Sequence, residues 1–305
     1  MSMRIVWLMV GLIVISIAEL AFSQGQPQLR CGYADKECAA KAIRGHVATK
    51  LGYWNEAFAK PVDQRMGVAP PELIEYLNLD NIQNGYPNKP HSTPLPADFL
   101  ADVRQAFAEM PAEVKRLLSG KLAGIYFVED LGGTGYSEEI VDKGAKAIAG
   151  FLVLDRSILA RRTANAWATW KENTPFKAQP RFRLVSEIEK PQQNNRKNAI
   201  QYILLHELAH ILAIGENIHP SWNLEPKNIQ STAEYPFFQL SWSIAKDDNR
   251  YVTIFDAAFP QRKDVVYYLE AKLAADQMVY TYANLERTNF ATLYSVTQPG
   301  DDFAE

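Results

Sequence analysis

The stretch RKNAIQYILLHELAHILAIG, residues 196–215, determines the fold predicted for this chain. Its residues are apolar on nearly every helical face, and it ends at Gly215, a residue type that commonly follows the last turn of a helix. A helix that is apolar all round is one that the rest of the protein buries. The stretch therefore predicts a buried central helix.

Two histidines and one glutamate interrupt this apolar helix. His206 and His210 are four residues apart, so their side chains project from one face and both imidazoles can reach one metal ion. Burial of such groups without partners costs on the order of several kcal/mol, and a bound metal compensates that cost directly. Glu207 cannot join the two histidines as a ligand at this spacing. It is placed beside the metal, where it can take a proton from water.

Zinc is the metal that these residue types favour. Imidazole and carboxylate ligands in tetrahedral geometry with one open position are the catalytic pattern of Zn²⁺. Two histidines and one carboxylate leave the fourth position to water, whose pKa zinc lowers to about 7. The motif predicts a zinc-dependent hydrolase in which Glu207 activates the zinc-bound water and returns the proton to the leaving amine.

The third ligand lies outside this motif. The longer pattern H-E-x-x-H-x-x-G-x-x-H would need glycine and histidine where this chain has Ala213 and Glu216, so that pattern fails. His219 is nearby, but Gly215 should end the helix before it, and we favour a carboxylate. The carboxylates considered by their distance along the chain are Glu225, Glu234 and Glu270.

The segment TLYSVTQPGDDFAE, residues 292–305, resembles the end of the active-site region in gluzincins related to anthrax lethal factor. In that family an acidic residue opening an acidic-x-Phe-Ala-Glu helix binds zinc, and a tyrosine seven residues earlier assists the oxyanion or leaving group. Asp301 and Tyr294 occupy these two positions here. The resemblance implies a zincin metallopeptidase with Asp301 as third ligand and Tyr294 as a catalytic residue. Asp302 and Glu270 remain alternative ligands.

The spacing of the two motifs has a consequence for the architecture. His210 and Asp301 are 91 residues apart, which predicts an inserted segment over 216–290. Glu305 follows Asp301 by one helical turn and could accept a hydrogen bond from a ligand histidine, its alternative role being that of a surface carboxylate.

The rest of the chain predicts an α+β fold. Helical patterns cover 38–58, 97–118, 158–176 and 264–285, the last of which contains Glu270. The runs AGIYFVED, KAIAGFLVLD and RFRLVSEIE predict strands, and the stretches at 78–96 and 131–144 predict loops. Together they predict a zincin-like fold, with a small mixed sheet packed on the active-site helix and additional N-terminal and C-terminal helices. By analogy with zincins, KAIAGFLVLD is expected to form the edge of the cleft and to pair with an extended substrate.

The N-terminus predicts export. Arg4 precedes an apolar run over 5–18, and small residues follow that run. The run is short for a membrane span, so we favour a secretory signal over 1–23. An uncleaved anchor is the alternative. Cys31 and Cys38 are expected to form a local disulfide in an oxidising compartment. A helical segment and loop over 24–96 and a zincin-like catalytic domain over 97–305 would follow.

Bulk composition limits the partners. The chain has 305 residues and is 47% hydrophobic, so it can bury a large core. Its net charge is -3, with acidic and basic residues mixed along the chain, which gives no electrostatic reason to expect nucleic acid as a partner. We expect an exported zinc endopeptidase, periplasmic or secreted, that acts on peptides or proteins without a stable membrane span after signal removal. The alternatives are a non-catalytic exported zinc-binding or interaction protein and an amidase of cell-wall peptides. Sequence indicates neither the scissile bond nor the oligomeric state.

Overall fold

The fold is α+β, as predicted. The computed structural model describes residues 31–305, so the predicted signal segment 1–23 lies outside the described residues. The helices are α1 (Lys36–Arg44), α2 (Asn55–Phe58), α3 (Pro71–Asn84), α4 (Ala97–Ala108), α5 (Ala112–Leu118), α6 (Arg156–Leu159), α7 (Ala164–Asn173), α8 (Arg196–Ala213), α9 (Met278–Leu285) and α10 (Pro299–Ala304). The strands are β1 (Met66–Val68), β2 (Leu122–Val128), β3 (Gly135–Val141), β4 (Ala147–Asp155), β5 (Phe176–Lys177), β6 (Trp242–Ala245), β7 (Arg250–Thr253) and β8 (Leu273–Ala274).

A mixed four-stranded sheet carries the core, in the order β1-β2-β4-β3. Strands β1, β2 and β4 are parallel, and β3 runs antiparallel to β4. Because β1 comes from the segment 24–96, that segment and the one after it share a single sheet. Helix α8 packs against β3 and β4 on one face of this sheet.

The expectation that KAIAGFLVLD forms the edge of the cleft and pairs with an extended substrate is wrong, because strands flank it on both sides. This stretch is β4, which lies between β2 and β3 and is buried from Ala149 to Asp155. Its continuous apolar character is that of an inner strand covered on both faces. The edge strand is β3, whose sequence GYSEEIV falls within the stretch predicted as a loop. Its polar residues gave no apolar strand pattern in the sequence, because an edge strand can turn polar groups toward solvent or a cleft.

Helix α8 forms as predicted. Asn195 caps its start by accepting a hydrogen bond from the amide of Asn198, and Gly215 follows its end with a left-handed φ of 74°. Of the residues of α8, only Leu205 is exposed. The helix therefore presents its two histidines from within the packed body of the protein.

Gly150 in β4 allows α8 to lie close to the sheet. A methyl group added there would lie 2.6 Å from both the Glu138 carbonyl oxygen and Ile211 Cδ1. We expect Gly150→Ala to lower the free energy of unfolding by about 3 kcal/mol, since overpacking forces the helix and strand apart. Gly67→Ala in β1 is the control, because nothing lies within 4 Å of its added methyl group. Urea unfolding measures both, and equal midpoints would contradict this account of the packing.

Among the described residues, one predicted strand is absent and one predicted helix forms only in part. Residues 181–189 form no strand, because their backbone groups bond to the side chains of Asn165, Thr169 and Asn173 on α7 instead of to another strand. Residues 264–285 form a helix only over α9. Tyr268 adopts a positive φ of 64°, which is incompatible with a continuing helix. The predicted loop at 78–96 is also wrong in part, because α3 continues to Asn84.

The predicted insertion at 216–290 supplies most of a separate apolar cluster. Phe238, Trp242 and Phe259 lie in this cluster, and the antiparallel pair β6 and β7 belongs to the same segment. Two tyrosines of the segment, Tyr267 and Tyr282, donate to Glu172 on α7 and so join it to the body that contains α8.

The N-terminal disulfide is confirmed. Cys31 and Cys38 are bonded, and Cys31 is buried in a small cluster with Leu79 and Ile82 of α3. Across residues 31–305, none of the helices has the length and apolarity needed to cross a bilayer.

Candidate metal centre

Helix α8 and the short helix α10 bring three side chains together. Metal-binding atoms of His206, His210 and Asp301 all lie within 4.8 Å of one another. The two Nε2 atoms are 3.2 Å apart, and Asp301 Oδ1 lies 3.9 Å from His206 Nε2 and 3.5 Å from His210 Nε2. Within residues 31–305 this is the one group of three or more such side chains arranged to hold a metal ion.

The donor set fits a metal ion in its spacing and charge. Two nitrogen ligands of one tetrahedral zinc ion would be about 3.3 Å apart, close to the separation of the two Nε2 atoms. Burial raises the pKa of Asp301, but His210 and His206 outweigh burial and lower it, so the carboxylate is the favoured form. Burial lowers the pKa of His210, and Asp301 and Glu207 outweigh that effect and raise it. Two ring nitrogens thus face a negative oxygen in a space that a cation could occupy.

The C-terminal helix is oriented by contacts on both sides of Asp301. Thr297 donates to Asp301 Oδ2 at 2.6 Å, which leaves Oδ1 directed at the histidines. The next residue, Asp302, accepts a hydrogen bond from Trp242 Nε1 at 2.9 Å and is not in the group. Glu270 is exposed and lies outside the group as well. Of the three carboxylates left open by the sequence, only Asp301 lies with the histidines.

Glu305 lies behind His206, on the side away from the other donors. Its Oε1 is 3.3 Å from His206 Nδ1, and its side chain is only 1% exposed. Lys171 lies 2.8 Å from the same oxygen, and Tyr202 donates to Oε2 at 2.7 Å. Burial raises the pKa of Glu305, but His206 and Lys171 outweigh it and lower the pKa. A carboxylate behind Nδ1 favours the tautomer with a free Nε2, which is the form that binds a metal.

Glu207 is held beside the three donors by the edge strand. Ser137 Oγ donates to Glu207 Oε2 at 2.6 Å and lies 3.2 Å from the Glu207 carbonyl oxygen. Gly135 makes room for the carboxylate, since a methyl group there would lie 2.3 Å from Glu207 Oε1. Glu207 is 5% exposed, so its position is fixed by β3 as much as by its own helix.

Tyr294 lies in the wall of the same cavity. This cavity has a volume of about 230 Å³ and is lined by His206, Glu207, His210 and Asp301 together with Tyr294. The Tyr294 ring centroid is 5.5 Å from that of His206. Burial, followed by the charge of Asp301, raises the pKa of Tyr294 well above its ordinary value, so the phenol keeps its proton at neutral pH.

A larger cleft of about 510 Å³ continues from the metal centre along β3. Tyr136, Trp222 and Tyr294 line both spaces. The far wall contains Asp80 and Glu138, and burial together with Glu138 raises the pKa of Asp80 to about 7. The metal centre therefore adjoins a second cleft of more than twice its volume.

Comparisons with known proteins find no match. No family model matches the chain, and neither does any curated protein or solved structure. What the site can do is therefore inferred from its own residues.

His219 lies close to the centre without joining it. A methyl group added at Gly300 would be 3.5 Å from Cε1 of both His210 and His219, so both rings lie close to this glycine. His219 Nδ1 is 2.8 Å from the Pro220 carbonyl oxygen, and burial lowers the pKa of His219. The preference for a carboxylate ligand over His219 agrees with this arrangement.

Several residues around the centre were not found from the sequence. They are Gly135, Ser137, Lys171, Tyr202 and Thr297. Each contacts a motif residue in space, but only Thr297 is close to its partner along the chain. Thr297 lies four residues before Asp301, within reach of a local turn pattern. Gly135, Ser137 and Lys171 lie on other elements, whose register against α8 no local pattern specifies, and Tyr202 lies on α8 but bonds to a residue 103 positions away.

Proposed function

We propose that this protein is an exported zinc-dependent metallohydrolase, namely an endopeptidase of the gluzincin type with a zincin-like fold. The observation that carries the proposal is the convergence of His206, His210 and Asp301 within 4.8 Å, with Glu207 beside them in a cavity that opens onto a cleft. A purely structural polar cluster has no need of a buried glutamate next to an open cavity. The Cys31–Cys38 disulfide is of a kind that persists in oxidising compartments, which supports the proposed export.

Zinc is proposed as the metal, held by His206, His210 and Asp301. When bound, zinc polarises a carbonyl group and makes water acidic enough to supply a nucleophile near neutral pH. Three protein ligands leave a position open, as in catalytic sites, whereas structural zinc sites are closed by four.

The roles of the protein's own residues follow from their positions. Glu207, held by Ser137, takes a proton from the attacking water and delivers it to the leaving amine. Tyr294 keeps its proton and donates a hydrogen bond to the oxygen on which negative charge develops. Glu305 orients His206 from behind.

The substrate is proposed to be an extended peptide that pairs with β3. This strand is at the edge of the sheet, runs past Glu207 and borders the cleft. Unpaired backbone groups on an edge strand bind an extended chain by adding it to the sheet. Pairing with the substrate, first expected of β4, is thus proposed for the neighbouring strand β3.

Glu207→Gln tests the proposal. The amide keeps the shape of the side chain but cannot accept the proton, so we expect zinc content to stay stoichiometric while peptide hydrolysis falls by about 100-fold or more. Mass spectrometry of a peptide library measures cleavage, and elemental analysis measures zinc. Glu216→Gln is the control, because Glu216 pairs with Lys121 at the surface.

The outcomes separate the alternatives. Undiminished turnover in Glu207→Gln would contradict the mechanism. Tight zinc binding with no hydrolysis of proteins or of cell-wall peptides by the wild-type protein would favour a non-catalytic zinc-binding protein. Cleavage of cell-wall peptides alone would favour the amidase.

A further inference from the structure

We propose that Lys171 is a positioning residue of the metal centre, acting on His206 through Glu305. The proposal rests on the metal site described under the proposed function, and it concerns a residue that contacts no metal ligand itself. Lys171 belongs to α7 and is only 4% exposed. A buried ammonium group must be compensated by opposite charge and hydrogen bonds, so its partners indicate which groups it positions.

The partners of Lys171 converge on the centre. Its Nζ lies 2.8 Å from Glu305 Oε1 and 3.6 Å from Glu172 Oε1. It also lies 4.6 Å from the centroid of the Tyr294 ring, within the range of a cation–π interaction. Glu172 is fixed in turn by hydrogen bonds from Tyr267 and Tyr282, at 2.9 and 2.6 Å, and gives the ammonium group a second carboxylate partner.

Lys171 and His206 lie against the same carboxylate oxygen. Glu305 Oε1 is the oxygen nearest to both Lys171 Nζ and His206 Nδ1, whereas Oε2 is occupied by Tyr202. A carboxylate held by donors on both oxygens cannot rotate away from the imidazole. Without Lys171, Oε1 would lose its hydrogen-bond donor, and the carboxylate could turn away from the imidazole that it orients.

The direction in which a substitution of Lys171 changes the metal affinity shows whether Lys171 acts by orienting His206 or only by its charge. Removal of a nearby positive charge, by itself, would strengthen the binding of a cation. Loss of orientation would weaken it, and changes to such supporting residues typically cost 10–100-fold in metal affinity. A residue that serves stability alone would leave the affinity of the folded protein unchanged.

The test is the Zn²⁺ affinity of Lys171→Met, measured by competition with a chromophoric chelator on protein shown to be folded by circular dichroism. We expect the affinity to fall by about 10-fold. The visible spectrum of the Co²⁺-loaded protein should also change, because it reports the geometry of the ligands. Unchanged or tighter binding would overturn the proposal. Arg65→Met is the matched control, since Arg65 is another buried cation, 7% exposed, whose partners are backbone oxygens. An equal loss in that variant would also overturn it.

A double-mutant cycle covers the case in which Lys171→Met does not fold. Glu305→Gln combined with Lys171→Met removes both buried charges together. If Lys171 acts through Glu305, the double variant should bind Zn²⁺ as Glu305→Gln alone does, and a further 10-fold loss would contradict the proposed route. None of these measurements requires a peptide substrate. Wild-type protein that binds no zinc would refute the proposed function, whereas a wild-type affinity in the variants would refute only the role of Lys171.

Discussion

Asp301→Ala is expected to abolish stoichiometric zinc binding, with a loss of at least about 100-fold in affinity. Substitution of a residue that merely supports a ligand already costs 10–100-fold, and Asp301 is proposed to supply one of three ligands. Its Oδ1 lies 3.5 Å from His210 Nε2, whereas the adjacent carboxylate of Asp302 accepts a hydrogen bond from Trp242 and lies outside the group, so Asp302 is not placed to replace it. Elemental analysis after dialysis and chelator competition measure the loss.

Asp302→Ala and Glu270→Ala are the matched controls. Asp302 is adjacent in sequence but bonds to Trp242, and Glu270 is exposed. Both variants should retain zinc. Retention of stoichiometric zinc by Asp301→Ala, or its loss in Glu270→Ala, would contradict the assignment of the third ligand.

Gly135→Ala is expected to reduce peptide hydrolysis by about 100-fold with zinc retained. The added methyl group would lie 2.3 Å from Glu207 Oε1 and 2.8 Å from Cδ, so the carboxylate must leave its place against Ser137. A displacement of about 1 Å in a catalytic group can cost on the order of 100-fold in rate. Steady-state kinetics on any peptide that the wild-type protein cleaves, together with zinc content, measure the effect.

Gly67→Ala serves as the control for this variant. Gly67 is on β1 at the opposite edge of the same sheet, and nothing lies within 4 Å of its added methyl group. It should keep wild-type turnover. Full activity in Gly135→Ala would show that Glu207 does not work from the position that β3 gives it.

The parts of the fold that the sequence predicts are those in which several local signals agree. Helix α8 is apolar on nearly every face and ends at a glycine, and β2 and β4 are uniform apolar runs. The loop-like composition of β3 conceals a strand because its partner, β4, supplies the hydrogen bonds. Residues 181–189 have the alternation of a strand but find their partners in the side chains of α7, which no pattern within the segment can indicate.

The candidate site divides in the same way. His206, Glu207 and His210 follow from helical spacing, and Asp301 and Tyr294 follow from a resemblance in the last residues of the chain. Glu270 does not serve as a ligand in this arrangement. The helix expected around it does not form there, because Tyr268 takes a positive φ and packs against a tertiary cluster. The supporting contacts join residues far apart in sequence, and their partners are therefore specified only by the packed fold.

A metal held by His206, His210 and Asp301 would also act as a cross-link. It would join α8 to α10 through His210 and Asp301, which are 91 positions apart in the sequence, and close the intervening stretch into a loop in the folded chain. An ion that binds only the folded form stabilises it by about 4 kcal/mol at a thousand times its dissociation constant. The thermal stability of the protein and the packing of α10 against α8 would then depend on the concentration of free zinc. Removal of zinc by a chelator would release the C-terminal helix before it affected the sheet.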